Sequence, residues 1–182
     1  MGRLAHRSTT CVSYAARTLT EHGVRFVLIG GWAAKLQGSP SVTADIDVCY
    51  AREPANLERL ASALASFDVR LRDVADAVPF WLDARALLAG DTFTLATSAG
   101  AIDLMASPAG SGGFDSLASR ADTLELDDLH VAVACVDDLI AMKRAAGRPK
   151  DLIEVEVLGA LRDETRSPHE PTASGRPPLV TR

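Results

Sequence analysis

Two consecutive glycines that close an apolar run constrain this chain more than any other feature. Residues 24–29 read as a strand, Gly30-Gly31 follow, and Trp32-Ala33-Ala34-Lys35 continue as a helix-compatible segment. A strand that turns through glycines into a helix points backbone N–H groups beyond the turn, an arrangement suited to an anion. A little further on, Thr43-Ala44-Asp45-Ile46-Asp47-Val48 opens a second strand over 45–50. Side chains alternate along a strand, so Asp45 and Asp47 emerge on one face while Ile46 turns to the core. Two carboxylates on one face suit Mg²⁺, a hard cation that takes oxygen ligands and also holds substrate phosphates.

A third carboxylate turns such a pair into a candidate phosphoryl-transfer site. Asp103 is that residue: it lies in a separate β-like run, 101–105, flanked by Ile102 and Leu104. A charged Asp among apolar neighbours is costly unless it is paired, hydrogen-bonded or metal-bound. Three aspartates can hold two Mg²⁺ ions about 3.5–4 Å apart, one acting on an attacking hydroxyl and one on the departing pyrophosphate. Asp103 is also placed to receive the hydroxyl proton.

The rest of the chain supplies a frame for these residues. Ser8, Thr9 and Thr10 are expected to cap a helix in which Val12, Ala15, Ala16 and Leu19 recur at helical spacing, leaving a basic, mobile 1–7 before it. Helices are also expected over 32–37 and from Pro54, with a strand over 67–72 and no assignment for 74–88. Runs 93–97 and 101–105 read as a hairpin, 114–120 as a short helix, and 123–126 and 130–134 as short strands. Asp137 and Asp138 are expected to cap a helix closed by Gly147, and a final helix starts near Pro149. The stretch 165–182, rich in Pro, Ser and Arg, reads as a disordered tail, so the domain is placed at 1–164 with its helical segment at about 136–164.

Composition narrows the classes. At 182 residues there is room for one substantial core but not for two large domains. The net charge of −5 argues against broad electrostatic coating of nucleic acid, although Lys143, Arg144, Arg148 and Lys150 form a local basic cluster. Cys11, Cys49 and Cys135 are odd in number and widely spaced, which disfavours a zinc or disulfide framework. With no apolar leader and no long uncharged run, a cytoplasmic protein without membrane contact is expected. The four histidines lack partners at ligand spacing, and Trp32 reads as a core residue.

Taken in order, Gly30-Gly31, Thr43-x-Asp45-Ile46-Asp47 and Asp103 resemble the nucleotidyltransferases of the DNA polymerase β superfamily. The run Asp138-Leu139-Ile140-Ala141-Met142-Lys143-Arg144-Ala145-Ala146-Gly147-Arg148-Pro149-Lys150-Asp151-Leu152 is similar to the Lys…Arg-x-Lys-Asp motif of AbiEii-like nucleotidyltransferases, many of them toxins of toxin–antitoxin pairs. The resemblance spans roughly residues 20–160. It implies an α/β (α+β) fold with a mixed sheet flanked by helices and a C-terminal helical segment. It also implies transfer of a nucleotide monophosphate from an NTP with release of pyrophosphate, using two Mg²⁺ ions or Mn²⁺ in their place.

Carried over by the resemblance, Gly30, Gly31 and Thr43 contact the nucleotide, Asp45 and Asp47 hold both metals, and Asp103 takes the catalytic metal and the acceptor hydroxyl. Lys143 and Arg148 contact phosphate, and Asp151 orients the C-terminal motif or assists proton transfer. The expected acceptor is RNA, at the 3′ end of tRNA, with an antitoxin protein as partner. Two alternatives stand beside it: a small-molecule acceptor, as in antibiotic-modifying nucleotidyltransferases, and a non-catalytic nucleotide- or protein-binding module. Where the family often carries Arg, this chain has Ser41. A phosphoryl group on Thr43 would repel the NTP and compete for metal, an off switch that a fully active Thr43→Glu variant would rule out.

Overall fold

The computed structural model describes residues 2–72 and 82–166. Helix α1 (Gly2–Glu21) leads into β1 (Phe26–Ile29), α2 (Gly30–Leu36), β2 (Ile46–Tyr50), α3 (Pro54–Ala65) and a two-residue β3 (Arg70–Leu71). After the gap come α4 (Ala84–Ala89), β4 (Thr92–Thr97), β5 (Gly100–Met105) and α5 (Phe114–Arg120). The chain continues through β6 (Asp122–Leu126), β7 (Leu129–Val133), α6 (Val136–Ala146) and α7 (Pro149–Arg166).

The strands form one mixed seven-stranded sheet in the order β3-β4-β5-β2-β1-β7-β6. Adjacent β5 and β2 are parallel, as are β1 and β7, and the other neighbours are antiparallel. The mixed sheet and flanking helices agree with the expected fold class. Its centre is apolar by alternation: Ile46, Val48, Ile102 and Leu104 are all at most 1% exposed, which leaves the intervening positions of β2 and β5 for the opposite face. Val12, Ala15, Ala16 and Leu19 are buried as their spacing required, and Trp32 is a core residue.

Several boundaries differ from the sequence reading. Helix α1 already runs at Gly2, so Ser8, Thr9 and Thr10 lie within it and 2–7 are helical; no proline or internal glycine between Leu4 and Thr10 interrupts the pattern. Asp137 and Asp138 do not cap α6, whose N-cap is Cys135. They occupy its first turn, and buried Asp138 instead accepts a two-armed contact from Arg120, at 3.1 Å from Nε and 2.7 Å from Nη2. Thr165 and Arg166 still belong to α7; the expected tail beyond them lies outside the described residues, as does most of the unassigned stretch 74–88. All three cysteines are free, and no described helix is long and apolar enough to cross a membrane.

Candidate active site

The carboxylates converge because of strand register. Parallel β2 and β5 pair Asp47 directly with Asp103, and Asp45 stands two residues before Asp47, so all three side chains leave the same face. The glycine pair is adapted to this cluster. Gly30 has φ +66°, and a Cβ there would lie 2.1 Å from Asp47 Oδ2. A Cβ on Gly31 would lie 2.7 Å from the Thr43 Cβ. Both positions exclude any side chain, one by the carboxylate and one by the threonine that precedes it. The Gly31 N–H donates to the Asp47 carboxylate, so the turn seats an aspartate of the cluster.

Burial first, then the neighbouring Asp103 and Asp45 carboxylates, lift the Asp47 carboxyl from 3.8 to about 6, against the Gly31 N–H and the Lys143 ammonium. Asp103 is also shifted upward, chiefly by burial, with Arg72 and Thr94 opposing. The cluster is short of positive charge. Arg72, which the sequence reading did not single out, supplies what it has: Nη1 donates to Asp45 Oδ2 at 2.9 Å and Nη2 to Asp103 Oδ1.

Across the cleft, α6 and α7 carry a second charged group. Lys143 Nζ donates to Asp151 at 3.3 Å and to Glu154 at 2.9 Å, and Arg148 also binds Asp151. Asp151 is fully buried. Glu154 further accepts from Ser39 Oγ at 3.0 Å, and Ser39 Oγ reaches Ser41 at 3.1 Å, which ties the loop after α2 to α7. Glu154 and Ser39 were not anticipated. The signal for Glu154 was its helical spacing with Asp151 and Leu158, both buried.

Between the two groups lies a cleft of about 700 Å³. Gly30, Gly31, Thr43, Asp45, Asp47, Asp103, Lys143, Arg148 and Asp151 all line it, so every site residue taken from the sequence meets in one place. Ile29, Met105, Pro108, Leu139 and Met142 give it apolar walls. Of the basic cluster, Lys143 and Arg148 are engaged by acids, whereas Arg144 and Lys150 are exposed.

Three oxygen donors without nitrogen or sulfur ligands fit a hard divalent ion, and the Arg72 guanidinium already stands as a cation between two of them. Among the described residues no three His, Cys, Asp or Glu side chains are gathered as a ready-made metal site. Asp45 and Asp103 turn to Arg72 instead.

No protein-family profile matches the chain, and no curated protein matches it in sequence. Among solved structures it is similar to the lincosamide antibiotic adenylyltransferase LnuA in its lincomycin-bound form, at 13% identity over 83% of this chain and 96% of that one, with a TM-score of 0.56. The antibiotic-resistance factor ANT(2'')-Ia aligns at 14% identity over 87% and 90% with a TM-score of 0.47. A candidate nucleotidyltransferase of Thermotoga maritima aligns at 15% over 84% and 89% with a TM-score of 0.45. With nearly the whole of LnuA covered, the mixed sheet with flanking helices described above is the nucleotidyltransferase fold.

Proposed function

We propose that this protein is an Mg²⁺-dependent nucleotidyltransferase that moves a nucleotide monophosphate from an NTP to a hydroxyl of a small acceptor. The observation that carries this reading is the in-register pair Asp47 and Asp103, joined by Asp45 in a cleft that faces Lys143. Asp45 and Asp47 would hold the metal, which when bound supplies charge neutralisation at the phosphates, with Asp103 beside them as the proton acceptor. The hydroxyl oxygen attacks the α-phosphorus and a new P–O bond forms. The bond to the bridging oxygen breaks, and pyrophosphate leaves with the electron pair. Asp103, held as a carboxylate by Arg72, takes the hydroxyl proton. Gly30, Gly31 and Thr43 line the nucleotide side, Lys143 and Arg148 face the phosphates, and Asp151 fixes both cations in place.

The small-acceptor assignment is supported by charge and size. Two of the four residues of the basic cluster, Lys143 and Arg148, are already paired with Asp151 and Glu154, whereas a polynucleotide needs several uncommitted cations. A cleft of about 700 Å³ with apolar walls is of small-molecule dimensions. The second reading, transfer to the 3′ end of tRNA by a toxin under antitoxin control, is favoured by exposed Arg144 and Lys150, the latter at the cleft itself.

Incubation with each of the four NTPs labelled at the α-phosphate, Mg²⁺ or Mn²⁺, and either hydroxylated antibiotics (lincosamides, aminoglycosides) or total RNA separates the readings. Label on a small molecule is the expected result, and label on RNA selects the second reading. Absence of transfer with every NTP and acceptor leaves the non-catalytic module as the account of the fold.

A further inference from the structure

Arg72 is the cation that stands between Asp45 and Asp103. Its backbone N–H donates to the Thr94 carbonyl at 3.0 Å, and Thr94 is the β4 residue paired with Asp103 on β5. Arg72, Thr94 and Asp103 therefore follow one another across the sheet. Two strand spacings, about 9.5 Å, separate the Arg72 backbone from that of Asp103, a span that an arginine side chain and a carboxylate bridge between them. The guanidinium ends in a fork, one arm on Asp45 Oδ2 at 2.9 Å and the other on Asp103 Oδ1. Its Nε is buried with no hydrogen-bond partner among the described residues. The two carboxylates are thus what compensate the arginine for leaving water.

Asp47 is not part of this fork. Its carboxylate is seated on the Gly31 N–H, and the second oxygen of Asp45 is not engaged by Arg72. The cluster is accordingly divided: an arginine on the Asp45–Asp103 side, and open carboxylate oxygens on the Asp45–Asp47 side. Resting on the nucleotidyltransferase reading above, we propose that Arg72 permanently replaces one of the two divalent ions, so that this protein takes a single metal, held by Asp45 and Asp47 with the NTP phosphates. The guanidinium does not deprotonate under working conditions. It cannot acidify a hydroxyl by coordination, and its contribution is to hold Asp103 as the charged base and to offset the charge that builds up on the attacking oxygen.

The test is electron paramagnetic resonance of the full chain with Mn²⁺ and an equimolar mixture of the α,β-methylene analogues of the four NTPs. Two Mn²⁺ ions about 3.5–4 Å apart couple magnetically and give a spectrum distinct from that of an isolated ion. The expected result is one uncoupled ion per chain in the wild type. Arg72→Ala and Arg72→Gln, the second keeping much of the side-chain length without its charge, are expected to gain a second ion and the coupled spectrum. A coupled pair in the wild type overturns the proposal whatever the variants do, and so does a single ion in folded variants of both kinds. No bound ion in the wild type overturns the nucleotidyltransferase reading and this inference with it.

Discussion

On the sheet side of the cleft three aspartates share one arginine, whereas on the helix side Lys143 and Arg148 meet Asp151 and Glu154 in equal number. The titration of the two groups follows that balance. Asp47 is pushed up to about 6, first by burial and then by its acidic neighbours. Burial acts on Asp151 and Glu154 in the same direction, yet hydrogen bonds from Arg148 and Lys143 to the first, and from Lys143, Ser41 and Ser39 to the second, bring both below the ordinary carboxylate range. Burial disfavours the charged form in both groups, and the hydrogen bonds and charges around each decide the opposite outcomes. The helix group is complete as it stands and holds two cations facing the cleft. The sheet group carries a surplus of negative charge that a proton or an arriving cation relieves, and a metal-dependent phosphoryl-transfer centre needs such a surplus at neutral pH.

The sharpest way to break this contrast is to remove a carboxylate from the sheet group. Asp103→Ala is expected to lower nucleotidyl transfer on the order of 10²–10³-fold, the scale set by loss of one electrostatic partner in a catalytic site; unchanged turnover would place the chemistry elsewhere. Next in size is Asp151→Asn, which leaves Lys143 and Arg148 without their shared acid. Breaking such a buried pair costs about 3 kcal/mol, or roughly 6–12 °C in Tm for a chain of this length, and calorimetry reads it directly.

Asp47→Asn should move stability the other way, raising the Tm of the metal-free protein by a few degrees at pH 7. The sign follows from linkage. A carboxyl raised from 3.8 to about 6 on folding favours the folded state below pH 4, and that favour is lost as pH climbs to 6. The asparagine variant should therefore lose less stability than the wild type between pH 4 and 6. Asp151 and Glu154 have depressed values, so their contribution persists at neutral pH and is lost only on acidification below the ordinary carboxylate range. The smallest effect is expected for Glu154→Gln, which keeps an acceptor for Ser39 but weakens the hold on Lys143. A cost of about 1 kcal/mol corresponds to roughly a 5-fold rise in KM for the NTP with kcat nearly unchanged.

Much of the sheet group was legible in the sequence. Asp45 and Asp47 alternate around an apolar residue, and Asp103 is conspicuous between Ile102 and Leu104, so strand geometry alone gathers them on one face. Arg72 was not legible for a physical reason. Arg70-Leu71-Arg72 reads as an ordinary alternating edge strand, and its partners lie 27 and 31 residues away; only the registers of β3, β4 and β5 bring them together. Glu154 sits in a run of alternating acids and valines that looks like a solvated helix face, and its burial depends on the loop at Ser39. Helix starts were misread where capping residues were given more weight than the absence of a breaker, as at Ser8 to Thr10. The early start of α1 leaves the cleft unaltered, while Asp138 and Arg120 pair outside its lining.

The central claim, that the sheet group awaits a cation and the helix group does not, is tested most directly by thermal melting at pH 7 with and without Mn²⁺ and the mixed α,β-methylene NTP analogues. The expected result is a metal-dependent rise in Tm for the wild type, retained by Asp151→Asn on its lower baseline and lost in Asp47→Asn. An equal rise in Asp47→Asn and the wild type would contradict it.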